Sequence, residues 1–170
     1  MAASKTEEMP AMTVQPQKEH QWLRKFAGEW GFQGEAAMGP GKPPVTWEGT
    51  VSVRSIAGVW VVQEWEGEEP DGSRGISITT LGFDPQKRRF VGTFIGTMVT
   101  HLWVYEGTLD AAERVLTLEA EGAGMMDEAK MAKYRDVYEL ESDDHRTLTS
   151  YVLGDDGDWQ QMMRAHYRRR

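Results

Sequence analysis

The chain has no cysteine, which excludes disulfides, thiolate metal ligands and cysteine nucleophiles. It also lacks a surplus of positive charge. Lys and Arg number 19 against 27 Asp and Glu, a formal net charge of −8. A nucleic-acid partner is therefore not expected, because phosphate binding needs a basic face. The one cationic cluster, Arg164 with Arg168, Arg169 and Arg170, reads as a solvated end or a local counter-charge. No apolar run approaches the ~20 residues that span a bilayer. The first residues lack the basic-then-apolar layout of a secretory signal. A cytoplasmic location with no membrane partner is the expectation. Also missing are a nucleophile elbow, a phosphate-cradling glycine loop and a dinucleotide fingerprint, so nothing in the sequence speaks for catalysis and no catalytic residue is assigned.

What is present is alternation. From Gly31 onward, short runs of alternating apolar and polar residues are separated by turn signals. The turns are Met38 to Pro44, Ala57-Gly58, Pro70 to Ser73, Asp84-Pro85, Asp110-Ala111, Glu121 to Gly124, Asp143-Asp144 and Gly154 to Gly157. Period-two runs bounded by Gly, Asp and Pro are what half-buried antiparallel strands require. The spacing predicts about ten strands, over 29–37, 45–55, 59–67, 74–83, 88–96, 100–108, 114–121, 131–141, 145–153 and 158–168. Long strands with short connections favour an up-and-down meander, and so many edges must close on themselves. The fold class is all-β: a single up-and-down antiparallel β-barrel with one N-terminal capping helix.

That helix is predicted over Gln17–Ala27. Pro16 precedes it, Trp22, Leu23 and Phe26 share a face, and Gly28 stops it. So short a helix is marginal alone and must bury that face against one end of the barrel. Residues 1–16 are polar and aperiodic and read as a disordered tail, leaving 17–170 as the barrel domain. A chain of 170 residues can bury a sizeable core, and seven Trp supply large rings that fill a barrel or line a pocket.

Parity sorts each strand into two faces but does not say which is inward. Trp60, Val62 and Glu64 share one face of the third strand; Val61, Gln63 and Trp65 share the other. His101, Trp103 and Tyr105 share a face of the sixth. Large groups on both faces are what a barrel with a partly polar interior would produce.

Gly28-Glu29-Trp30 opens the first strand, and Tyr167, Arg168 and Arg169 lie on the last. A Gly-x-Trp start with a late arginine able to lie on the indole resembles the signature of lipocalin-type, calycin-like barrels. A cation over Trp contributes ~0.5–2 kcal/mol and would join first strand to last. Gly28, Trp30 and Arg169 are assigned this structural role. A broader likeness runs through Val53-Arg-Ser-Ile-Ala-Gly-Val-Trp60, Thr80-Leu-Gly-Phe-Asp-Pro85 and Phe90-Val-Gly-Thr-Phe-Ile-Gly-Thr-Met98. It continues in Thr100-His-Leu-Trp-Val-Tyr-Glu-Gly107, Lys133-Tyr-Arg-Asp-Val137 and His166-Tyr-Arg-Arg169. In these blocks the chain resembles a bacterial family, domain of unknown function 1579, departing at Phe94 and Thr97, where Trp and Ser are expected. The resemblance implies a barrel; with no established activity in the family, it implies no mechanism.

For the interior, the reading is a lipocalin-like module binding a small, mostly apolar molecule. Trp47, Trp60, Phe94, Trp103 and Tyr105 are the candidate walls, and Arg54, Glu64, His101 and Arg135 the polar contacts. Asp136 and Glu139 are further charges within strand-like runs. Buried charges of this kind must pair. His101 could instead serve as a base at the barrel mouth. No metal site is expected, since His20 sits on the helix and His101, His145 and His166 have no ligand spacing. No cofactor is expected either. The alternative, haem held through His166 as in nitrobindin-like barrels, meets the difficulty that parity sets His166 opposite Ala165 and Tyr167. Two other readings stand beside the first: a filled barrel acting through its outer surface as a homodimer, and an enzyme or haem protein using a mouth histidine.

Overall fold

The structure, a computed structural model, describes residues 14–39, 41–69, 71–124 and 130–170. Most of the tail predicted over 1–16 therefore lies outside the described residues. Ten strands follow a short helix: α1 (Lys18–Leu23), one 3-10 turn (Arg24–Phe26), β1 (Gly28–Ala36), β2 (Val45–Ile56), β3 (Trp60–Glu68), β4 (Arg74–Asp84) and β5 (Arg89–Gly96). Then come β6 (Val99–Leu109), β7 (Val115–Ala123), β8 (Met131–Ser142), β9 (His145–Leu153) and β10 (Trp159–Arg169). Each strand pairs antiparallel with the next, and β1 pairs with β10, from Trp30 opposite Arg169 to Ala36 opposite Met163. The result is a closed up-and-down barrel with no free edge. Every predicted strand is present with its ends within two residues.

The predicted helix is shorter and tighter than expected, one α segment followed by a 3-10 turn. Its apolar face behaves as the sequence requires. Trp22, Leu23 and Phe26 are buried against the barrel end, with Trp22 on Phe90 and Phe26 on Tyr138 at ring separations of 5.8 and 5.3 Å. His20, on the same helix, is buried. Its Nδ1 accepts from the Gln17 N–H at 2.9 Å, which leaves the Nε2 proton to reach the Phe83 carbonyl at 3.1 Å. The imidazole thus fixes the start of α1 to β4, a structural role.

The seam between first and last strands is locked by Arg169. Its guanidinium lies 4.3 Å from the Trp30 ring and donates to the carbonyls of Ala27 (2.7 Å), Lys25 (3.1 Å) and Asp143 (3.2 Å). Trp30 Nε1 donates to the Phe26 carbonyl at 2.8 Å. Gly28 makes the junction possible. Its φ of 123° is a conformation L side chains avoid, and a Cβ there would sit 2.5 Å from the Arg169 guanidinium.

The two ends of the barrel differ. At the helix end the core is dense: Phe26, Leu81 and Leu116 have no exposed surface, and Leu23, Trp30 and Val61 have 1%. At the opposite end, residues on the same inward rows are only half-buried. Among the described residues, no helix is long and apolar enough to cross a membrane.

Candidate functional site in the barrel interior

Register and burial together settle which parity faces inward. On β3 it is Val61, Gln63 and Trp65; on β8, Tyr134, Asp136 and Tyr138; on β9, Arg146, Leu148 and Ser150. The interior is stacked in three levels above the helix plug.

The lowest level contains a cation. Arg146 has no exposed surface, and its guanidinium is surrounded by the rings of Phe26 (4.4 Å), Trp30 (4.6 Å), Tyr167 (5.0 Å) and Tyr138 (5.9 Å). Its Nη2 crosses the barrel to donate to Gln63 Oε1 at 2.8 Å, and Gln63 Nε2 in turn approaches the Tyr138 hydroxyl at 3.4 Å. Burial pulls the guanidinium down to about 10, against which the two tyrosines hold it up, so it stays charged at neutral pH. Burial likewise pushes the Tyr138 and Tyr167 hydroxyls up, the latter to about 12. A buried ion carries a penalty of several kcal/mol. A desolvated cation over a ring face gains about 2 kcal/mol or more.

The middle level is a hydroxyl–carboxyl cluster. Tyr105 donates to Asp136 Oδ2 at 2.7 Å and Ser150 to Oδ1 at 2.5 Å. Burial raises the Asp136 carboxyl above its ordinary range, opposed by those two donors. Burial and the neighbouring Asp136 raise Tyr105 well above 10, so the phenol remains a proton donor. Asp136 faces the inside of a closed wall and is flanked by paired strands, yet it is only half-buried. Thr79, Leu148 and Ser150, also inward-facing, share this partial exposure.

The upper level is aromatic. Trp47, Trp65, Phe94 and Trp103 point inward and are half-buried, with Phe32 beneath Trp65 at 5.3 Å and Tyr134 against Trp103 at 4.7 Å. Two of these rings lie flat on glycines. A Cβ at Gly34 would stand 2.5 Å from the Trp47 ring, and one at Gly122 2.5 Å from Trp103. Gly122, read in the sequence as part of a turn, belongs to β7, and its missing side chain is the space Trp103 occupies. The ladder between β6 and β7 stops at Glu106 opposite Glu119. Beyond it the gap is spanned by side chains. Trp103 covers Gly122, and His101 Nε2 meets the Glu121 carbonyl at 3.1 Å.

The sequence profile of the family described as "Protein of unknown function (DUF1579)" matches residues 15–169. The chain belongs to that family. No curated protein matches the sequence. Among solved structures, Rv2717c from M. tuberculosis is similar with a TM-score of 0.61 at 14% identity, covering 91% of this chain and 98% of that one. The S-type phycobiliprotein lyase CPES from Guillardia theta is similar with a TM-score of 0.60 at 12% identity, over 91% and 98%. A de novo designed fluorescence-activating β-barrel reaches 0.50 at 12% identity, over 88% and 98%. At such identities the likeness concerns the fold of this DUF1579 member and not its chemistry.

Of the residues singled out in the sequence, Phe94, Trp103 and Tyr105 meet in the interior, as does Trp47. Four others point outward and are corrected here. Arg54 and Glu64 lie exposed on the outer faces of β2 and β3. Trp60, 41% exposed, lies outside on Gly82, an outer-face glycine that makes room for its ring. Arg135 lies outside as well, paired with Glu119 at 2.6 Å and stacked on Trp159 at 4.0 Å. For Trp60 and Arg135 the cause is a partner on the neighbouring strand, Gly82 beneath the one and the Glu119 carboxylate beside the other, which parity alone does not register. His101 is exposed at the rim, its ring edge-on to Trp103 at 5.0 Å. His166 is on the outer face, its Nδ1 3.2 Å from His145 Nε2, so neither ring reaches an interior haem. Burial and then the cation of Arg168 lower His145. Among the described residues no three His, Asp or Glu gather as metal ligands.

Sequence reasoning missed Gln63, Trp65, Arg146 and Ser150. The signal was there in part. Arg146, Leu148, Ser150 and Val152 share one parity of β9, and a pairing of Leu and Val with Arg on one row marks a buried row carrying a charge.

Proposed function

We propose that this protein is a binding module that holds one small, mostly apolar molecule inside its barrel, entering at the end away from α1. The observation that carries the reading is the partial exposure of Thr79, Asp136, Leu148 and Ser150, all facing the inside of a closed wall. Partial exposure of inward-facing residues is what room within the barrel would give. The rings above them offer apolar contact, and Tyr105, Asp136 and Ser150 offer a few oriented hydrogen bonds, the usual composition of a small-molecule site. Similar barrels include one named as a phycobiliprotein lyase and one designed to activate fluorescence, which accords with the reading.

Native mass spectrometry of the purified protein, with and without added N-phenyl-1-naphthylamine, tests it. The expected result is one small molecule per chain in the wild type and none in Leu148→Trp, which puts a larger ring on the inward row of β9. A wild type that takes up nothing, and gives no rise in probe fluorescence, ends the reading.

A second reading draws on the outer surface. Ile76, Ile95, Leu102 and Val104 are 40–58% exposed on the outside of β4, β5 and β6. A homodimer through this face is its expected form, and light scattering that gives a monomer both for the wild type and for Val104→Lys removes it.

A further inference from the structure

The interior carries one guanidinium with no ion-pair partner among the described residues. Among the described residues, Arg146 makes no salt bridge. Its single hydrogen bond goes to the uncharged Gln63, and its Nε and Nη1 have no acceptor. The surrounding rings do not remedy this. Phe26, Trp30 and Tyr167 attract the charge as a whole, but a ring carbon accepts no in-plane N–H hydrogen bond of ordinary strength, so two buried donors are left over. The carboxyl of Asp136 is already engaged by the Tyr105 and Ser150 hydroxyls.

Oxygen anions are what such donors select. A guanidinium presents its N–H groups in a plane that matches two oxygens of one carboxylate or sulfonate. The charge is also single. One guanidinium can balance one negative charge, and a chain of net charge −8 repels polyanions before they arrive. Above Arg146 come the Tyr105–Asp136–Ser150 cluster and then the rings of Trp47, Trp65, Phe94 and Trp103, with no second cation on these levels among the described residues, so the remainder of the guest is mostly apolar.

We propose that the interior site takes a monoanionic amphiphile, its oxyanion head on Arg146 in place of the Gln63 amide and its apolar body among Trp47, Trp65, Phe94 and Trp103. This rests on the binding reading above and narrows it to a ligand class. Gln63 then acts as an internal stand-in, an amide oxygen that holds one guanidinium N–H until a better acceptor displaces it.

The test uses two probes that share an aromatic body: N-phenyl-1-naphthylamine, which is neutral, and 8-anilinonaphthalene-1-sulfonate, which adds one anion. Their dissociation constants for the full chain are measured by fluorescence titration at pH 7. The sulfonate should bind the wild type at least about tenfold more tightly, the gain expected of a charge-assisted hydrogen bond over none. In Gln63→Glu a resident carboxylate neutralises Arg146 from 2.8 Å away. The preference should vanish there while the neutral probe binds as before. This variant adds an ion pair and keeps the fold even where Arg146→Met does not. Equal affinity of the two probes for the wild type overturns the proposal and leaves the binding reading intact. A preference that survives in Gln63→Glu also overturns it, by placing the anion elsewhere. If neither probe binds, both readings fall.

Discussion

Phe26 and Phe94 are the same residue inside one barrel, yet Phe26 has no exposed surface and Phe94 is half-buried. Around Phe26 lie Trp22, Tyr138 and the Arg146 guanidinium, and the end of the barrel is sealed by α1 and by the Arg169 clamp. Around Phe94 the inward rings of Trp47, Trp65 and Trp103 are themselves only half-buried, and the wall loses its ladder between β6 and β7. The contrast teaches that the barrel divides its labour. The helix end supplies the burial that holds the fold; the far end keeps apolar surface partly unburied, which is destabilising for a fold and, on the function proposed above, is where a guest would be held.

Truncating both phenylalanines breaks the comparison most sharply. Phe26→Ala should lower unfolding free energy by about 3–5 kcal/mol, the range for a fully buried ring. Phe94→Ala should cost about half of that or less, because part of its surface is already in contact with solvent. Urea denaturation of the two variants measures both, and equal losses would erase the distinction between the ends. A smaller effect is expected from Arg169→Met. It keeps the apolar stem over Trp30 but removes hydrogen bonds to three carbonyls, for a loss of about 2 kcal/mol at the sealed end. An unchanged midpoint would show that the β1–β10 ladder alone closes the barrel.

The smallest effect sharpens the comparison through pH. The Asp136 carboxyl is raised by burial, so the folded protein binds its proton more readily than the unfolded chain does. Its contribution to stability is therefore fully present below the unfolded value and declines as pH rises through the raised folded value. Asp136→Asn removes that dependence while keeping an oxygen for Tyr105. The difference in stability between Asn variant and wild type should grow in favour of Asn from pH 4 toward neutrality. A difference that stays flat, in denaturation series across that range, would mean the carboxyl is well solvated.

How much of this was legible beforehand follows from what each signal measures. The strands were readable because turn residues sit at fixed places: Ala57-Gly58, Asp84-Pro85 and Asp143-Asp144 each end a ladder where the sequence says one ends. Closure was readable from Gly28, Trp30 and Arg169, three residues whose chemistry demands one another. The inward face was not. On β3, Trp60 and Trp65 have opposite parity, and only pairing with Gly82 shows that Trp60 can lie flat on the outside. Arg146 was invisible for a related reason. Between His145 and Thr147 it looks like a solvated residue, and its burial depends on rings from the 3-10 turn, β1, β8 and β10 that converge only in three dimensions. Local pattern reports periodicity; it does not report what lies across the barrel.

One feature of the wall bears on its motion. Past Glu106 and Glu119, β6 and β7 run on without backbone bonds to each other, joined by an indole and an imidazole. A hoop with a single loose stave flexes there before it flexes anywhere else. Backbone amides facing that slit should swap their hydrogens for deuterium far sooner than those of the β1–β10 junction, so the barrel breathes along one line rather than all round.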